Sequence, residues 1–244
     1  MPDIAARRPS LPVLLAELAA VLLLDHYFPE IVVKSLAAVH VTVPETPLLK
    51  HAYLFFTFTL LLIAWLRWRG EALATFGLVR PPSWWRAIGK GVAIFVAIVA
   101  FDVLILPFIN AAMVSLTHTS PTLAEQHFAP LKGNLPMLLY LAPVSWLFGG
   151  FGEEFVGRGY VMTRIAQLLG ESRGAWIAAL LLQGIPFALG HLYQGPVGMA
   201  GIYVAALFYG LAYLWGRNLW PAIVAHALLD TFGFAAMYTG IVHA

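Results

Sequence analysis

Cysteine is absent from this 244-residue chain and charge is scarce. Without cysteine there is no disulfide, no thiolate metal site and no cysteine nucleophile. Only 11% of the residues are Asp, Glu, Lys or Arg, against about 25% in ordinary soluble domains. There is no tandem repeat and no low-complexity tract, so repeat architectures and composition-driven disorder are set aside. The formal net charge is only +2, and nothing in its distribution suggests a nucleic-acid partner.

What the chain has in quantity is apolar sequence. It is 61% hydrophobic, with a mean hydropathy of +0.82. Several runs are long enough to cross a bilayer. Open strands cannot cross lipid, so these runs are read as helices. The expected fold is therefore all-α: a polytopic helical membrane protein with about seven transmembrane helices, forming one membrane domain over residues 1–244. The spans are placed at about 11–28, 48–66, 88–116, 135–169, 175–192, 198–215 and 220–238. An eighth would need a further helix in the mixed segment 29–47, around Lys34, His40 and Pro44. Pro107 is expected to kink the third span. Arg7 and Arg8 before the first run resemble a signal-peptide start, but no small-residue cleavage pattern follows, so the first span is read as uncleaved.

Seven spans can be oriented by their flanking cations. With the N-terminus inside, Arg7, Arg8, Arg67, Arg69, Arg80, Arg86, Lys90, Arg164, Arg173 and Arg217 fall on the inner side. Lys34, Lys50 and Lys132 fall outside, and Arg158 lies within a span. This predicts a multi-pass protein of the cell membrane with a cytoplasmic N-terminus. Trp65, Trp68, Trp84 and Trp85 around the basic connector suit the headgroup level.

The chain is organised around the stretch 150–159, Gly-Phe-Gly-Glu-Glu-Phe-Val-Gly-Arg-Gly. Glu153 and Glu154 lie side by side in apolar surroundings, and Arg158 follows Glu154 by four residues. On an α-helix that spacing puts Glu154 and Arg158 on one face, where they can pair. Glu153 then points about 100° away, without that partner. Two further pairs have the same spacing: Phe187 with His191, and His226 with Asp230. Singly, a membrane histidine is a packing residue and Asp230 a hydrogen-bond acceptor. Together, two Glu, one Arg, two His and one Asp on nearby spans must satisfy one another, so they are expected to converge.

Glu153-Glu154-x-x-x-Arg158, Phe187-x-x-x-His191 and His226-x-x-x-Asp230 resemble, in order, the three-motif signature of the CPBP intramembrane proteases. That family includes type II CAAX prenyl endopeptidases and bacteriocin-processing or self-immunity proteins. The resemblance covers about 136–234, which would be the catalytic core. It implies an intramembrane endopeptidase that hydrolyses a peptide bond of a membrane-associated protein or peptide. Glu153 and His191 would activate a water. Glu154 and Arg158 would position the motif and the substrate. Phe187 would contact substrate, and His226 with Asp230 would support the oxyanion. The last position is often Asn in prenyl-protein members, and here it is Asp230. An ionised Asp only accepts hydrogen bonds, so it would orient His226 or act protonated.

Two His and a carboxylate also leave open a zinc-dependent peptidase with Glu153, His191 and His226 as ligands. No His-Glu-x-x-His helix supports it, so the expectation is a metal-independent site without a cofactor. A non-catalytic immunity or binding protein and a proton-coupled transporter are the other classes. The acid–base set argues against the first, and the lack of internal duplication against the second. The expected partners are membrane lipid and a protein or peptide substrate. The spacings Gly201-x-x-x-Ala205 and Ala206-x-x-x-Gly210 are read as close helix packing within the chain.

Overall fold

The computed structural model describes residues 10–40, 47–119 and 123–241. Arg7, Arg8, Pro44 and the side chain of Lys50 lie outside this description. The described residues form helices and no strand. Ten α-helical segments follow in order: α1 (Leu11–Ala38), α2 (Pro47–Trp68), α3 (Trp84–Leu104), α4 (Leu106–Thr117), α5 (Leu123–Phe128), α6 (Leu135–Ser145), α7 (Met162–Leu168), α8 (Arg173–Leu189), α9 (Gly195–Leu214) and α10 (Trp220–Thr239). Between α6 and α7 the helix continues as two π-helical stretches, Trp146–Glu153 and Phe155–Val161.

Among the described residues, five stretches are long and apolar enough to cross a membrane: Leu11–Ala38, Trp84–Leu104, Leu135–Leu168, Leu192–Leu214 and Trp220–Thr239. The other two expected spans are the shorter apolar helices Ala52–Trp68 and Arg173–Leu189. The protein is a multi-pass helical membrane protein. Its many exposed apolar side chains, such as Leu23, Val96, Val103 and Leu139, fit a surface solvated by lipid tails rather than water.

Two expectations about the spans change. The first helix does not stop at 28. It runs through Pro29 to Ala38, so 29–38 is not a separate interfacial segment. Proline lacks the N–H that would bond the carbonyl four residues back, but the turns on either side hold the helix together. The third span is broken rather than kinked. α3 ends at Leu104, and Pro107 sits in the first turn of the separate α4, a position where its missing N–H costs nothing. Arg164 lies within the fourth span as expected. It is fully buried at the end of the motif helix, where its Nη2 lies 2.6 Å from Glu71 and 3.4 Å from Glu17. Arg69 also pairs with Glu17, so the cluster ties α1, the α2–α3 connector and α7 together.

The small-residue spacings in α9 serve internal packing. A Cβ on Gly210 would run into Leu180 of α8, and Ala206 is fully buried. Gly201 faces Leu106 of α4. The turn before α10 is bound to the α2–α3 connector, with Leu219 N–H donating to the Gly77 carbonyl (3.1 Å) and Trp220 Nε1 to the Val79 carbonyl (3.1 Å). At the far end of α10, Gly133 N–H donates to the Tyr238 carbonyl at 3.0 Å. The connector and the 133 loop therefore lie at opposite ends of α10.

Candidate active site

The motif stretch is seated where the helix is widest. π-Helical turns close i→i+5 hydrogen bonds and so hold more residues per turn than an α-helix, with less rotation between neighbours. Adjacent Glu153 and Glu154 are consequently splayed less than α-helical spacing predicts. Both carboxylates reach His226 of α10. Its Nδ1 lies 2.7 Å from Glu154 Oε1, and its Nε2 lies 3.8 Å from Glu153 Oε2. As expected, Glu153 does not share the Arg158 partner of its neighbour, and it approaches His226 instead. The expected Glu154–Arg158 pair is present, with Arg158 Nη1 donating to Glu154 Oε1 at 2.9 Å in a fully buried setting.

Close approach of α10 depends on Gly149 and Gly150, which precede the carboxylates. A Cβ on Gly149 would strike the Asp230 carboxylate. One on Gly150 would lie 2.9 Å from Ala227 Cβ and 3.0 Å from the Ile223 carbonyl oxygen. His226 and Asp230 share a face of α10 as their spacing predicts, with Nε2 3.7 Å from Oδ1.

Aromatic side chains hold the rest. The Arg158 guanidinium lies 4.1 Å from the centre of the Phe187 ring and 5.0 Å from that of Tyr209. Those faces partner a cation whose Nε and Nη2 make no hydrogen bond in the protein. Tyr209 stacks on His226 with ring centres 4.6 Å apart, and Phe187 meets His226 edge-on at 6.1 Å. His191 is also beside Phe187, at 5.1 Å, but not by sharing its helix. α8 ends at Leu189, and His191 is outside it, with Nδ1 2.9 Å from the Phe187 carbonyl oxygen. The i,i+4 spacing is thus realised as a side chain folding back on the end of its helix.

A cavity of about 770 Å³ opens beside this cluster, and Glu153, Phe187 and His191 line it. His226 is buried behind them, 6% exposed, and Glu154 and Arg158 are sealed entirely. Six of the sequence-predicted residues thus belong to one contact network (Glu153, Glu154, Arg158, Phe187, His226 and Asp230), which His191 joins through Phe187. Sequence reasoning missed two contributors. Tyr209 carries no spacing signal, its only sign being a phenol in an apolar span. Asp25 of α1, which lines the same cavity, belongs to none of the three motifs. Among the described residues, no three His, Asp or Glu side chains are grouped so as to hold a metal ion.

Fold and site define a multi-pass membrane protein with an acid–base cluster opening on an internal cavity. Residues 135–232 match the family model of the type II CAAX prenyl endopeptidase, Rce1-like. That stretch is under half of the chain but contains all three motifs, and its similarity to the Rce1-like family agrees with the resemblance they carry. The family implies a protease, which in a membrane would act on protein or peptide substrates. No curated protein and no solved structure is significantly similar to the chain.

Proposed function

We propose that this protein is an intramembrane endopeptidase in which Glu153 is the general base, with residues 136–234 as its catalytic core. One observation carries the assignment. Glu154 is held by both Arg158 and His226, whereas Glu153 lines the cavity together with His191 and keeps Oε2 without a hydrogen-bond donor. In this reading a water held between Glu153 and His191 attacks the substrate carbonyl, and Glu153 takes its proton. Collapse of the tetrahedral adduct breaks the C–N bond, and the same proton passes to the leaving amine.

His226 supports the oxyanion. Its Nδ1 is engaged by Glu154, so Nε2 can donate only when the ring is doubly protonated. Asp230, 3.7 Å from Nε2, orients that proton. Glu154 and Arg158 position the ring rather than react. In this reading the site works without a metal, as the lack of a His-Glu-x-x-His helix in the sequence suggests. The N-terminus and the basic connector lie in the cytoplasm.

The test is cleavage of a membrane-peptide library by the detergent-purified protein. Glu153→Gln should fold and lose about 10²–10⁴-fold in rate, the usual contribution of a general base. Activity should survive a chelator, whereas a zinc enzyme would lose it. A folded Glu153→Gln protein that cleaves like wild type would overturn the proposal.

A further inference from the structure

Part of the cavity wall belongs to α1, through Leu22, Asp25, His26 and Pro29. Most of the lining is apolar. Among the described residues that line it, Asp25 and Glu153 are the two carboxylates and none is a lysine or arginine. Glu153 is accounted for by the chemistry above. Asp25 is not. Among the described residues it has no ion-pair partner, and its Oδ1 is buried without a hydrogen bond.

Two further acceptors accompany it. Pro29 stands four residues after Asp25 and has no N–H to give to the Asp25 carbonyl, so that backbone oxygen loses its α-helical donor. Gln183 of α8, 1% exposed, also lines the cavity. Its side-chain nitrogen donates to the Leu180 and Ala206 carbonyls, both at 3.1 Å. Those bonds fix the amide orientation and leave Oε1 without a donor. The cavity is therefore rich in unmatched acceptors and poor in cations.

We propose that Asp25 is the recognition site for a basic side chain of the substrate, so that the cavity selects membrane peptides carrying a lysine or arginine at one position displaced from the scissile bond. This rests on the peptidase reading of the same cavity. An ammonium or guanidinium offers three or five donors and no acceptor, the complement of what the wall presents. Its aliphatic stem packs on apolar lining such as Leu22 and Phe55. An acidic side chain would be repelled there, and a neutral one would leave Asp25 unmatched.

The test uses the full-length chain in detergent and peptides in which lysine or its uncharged isostere norleucine is scanned along the positions flanking the cleaved bond. Both dissociation constant and kcat/KM are read. Wild type should prefer lysine by about ten- to hundredfold at one position, the range of a charge-assisted hydrogen bond. Asp25→Asn should bring that ratio towards one. Asp25→Lys should reverse it in favour of glutamate over glutamine, and the Asn variant decides if the Lys variant does not fold. A wild type without preference, or a preference that persists in Asp25→Asn, would overturn the proposal. Preferential binding without cleavage of either peptide would sink the peptidase reading and leave the cation site standing. Equal binding and cleavage of both would do the reverse.

Discussion

Arg158 joins the charged and aromatic halves of the site. One guanidinium nitrogen bonds Glu154, while the plane rests on Phe187 and Tyr209. A lysine could keep the charge but not the flat, weakly hydrated surface. Arg158→Lys should therefore lower activity even where thermal denaturation shows a folded protein. Glu154→Gln should behave differently, because it strands a buried guanidinium. Losing one partner of such a pair costs about 3–5 kcal/mol, so this variant should melt well below Glu153→Gln in detergent. Equal melting temperatures for the two would contradict the division of labour between the carboxylates. The Glu154–Arg158 pair was legible because both partners sit on one helix four residues apart. Tyr209 was not, because stacking between α9 and α10 leaves no periodic trace.

Among the elements, the π-helical passage between α6 and α7 decides which side chains meet. α-Helical periodicity separates Glu153 from Glu154 by a quarter turn or more, and the wider helix is what lets one histidine address both. No residue preference announces such a passage, so the convergence of the carboxylates on His226 was legible but the backbone that delivers it was not. The glycines before it make two forecasts. On Gly150 a methyl group would press on the backbone of α10, and overpacking of that kind costs about 1–3 kcal/mol. Gly150→Ala should thus lower the melting temperature. On Gly149 the obstacle is the end of the Asp230 side chain, which can swing away. Gly149→Ala should stay folded, lose activity, and lose less in an Asp230→Ala background, where the obstruction is gone. The breaks at the element scale were half legible: Pro107 marked the interruption of the third span, but Pro29 falsely suggested the end of the first.

At the scale of the molecule, hydropathy alone located the spans, and the structure adds which ends lie together. The α2–α3 connector meets the turn before α10, and the 133 loop meets its far end. Exposed Trp68, Trp85 and Trp215 gather towards the connector side, as an interfacial belt would. In the orientation proposed above from the positive-inside rule, that side is cytoplasmic. Ser83→Cys, in a chain with no native cysteine, should be labelled by an impermeant reagent only after the cells are opened. Labelling in intact cells would invert the topology. The partners of Arg164 were not legible for a physical reason: Glu17 and Glu71 are far away in sequence.

Those same ion pairs bear on how the chain is made. A lone arginine at the centre of a membrane helix costs about 2.5–3.5 kcal/mol on insertion scales. Synthesis proceeds from the N-terminus, so a buried cation can be neutralised on arrival only by acids already translated. Arg164 meets Glu17 and Glu71, both upstream, and Arg158 meets Glu154 within its own helix. Neither arginine has to wait in lipid for a helix that the ribosome has yet to release, and α10 with His226 can dock last onto a motif whose cations are already matched.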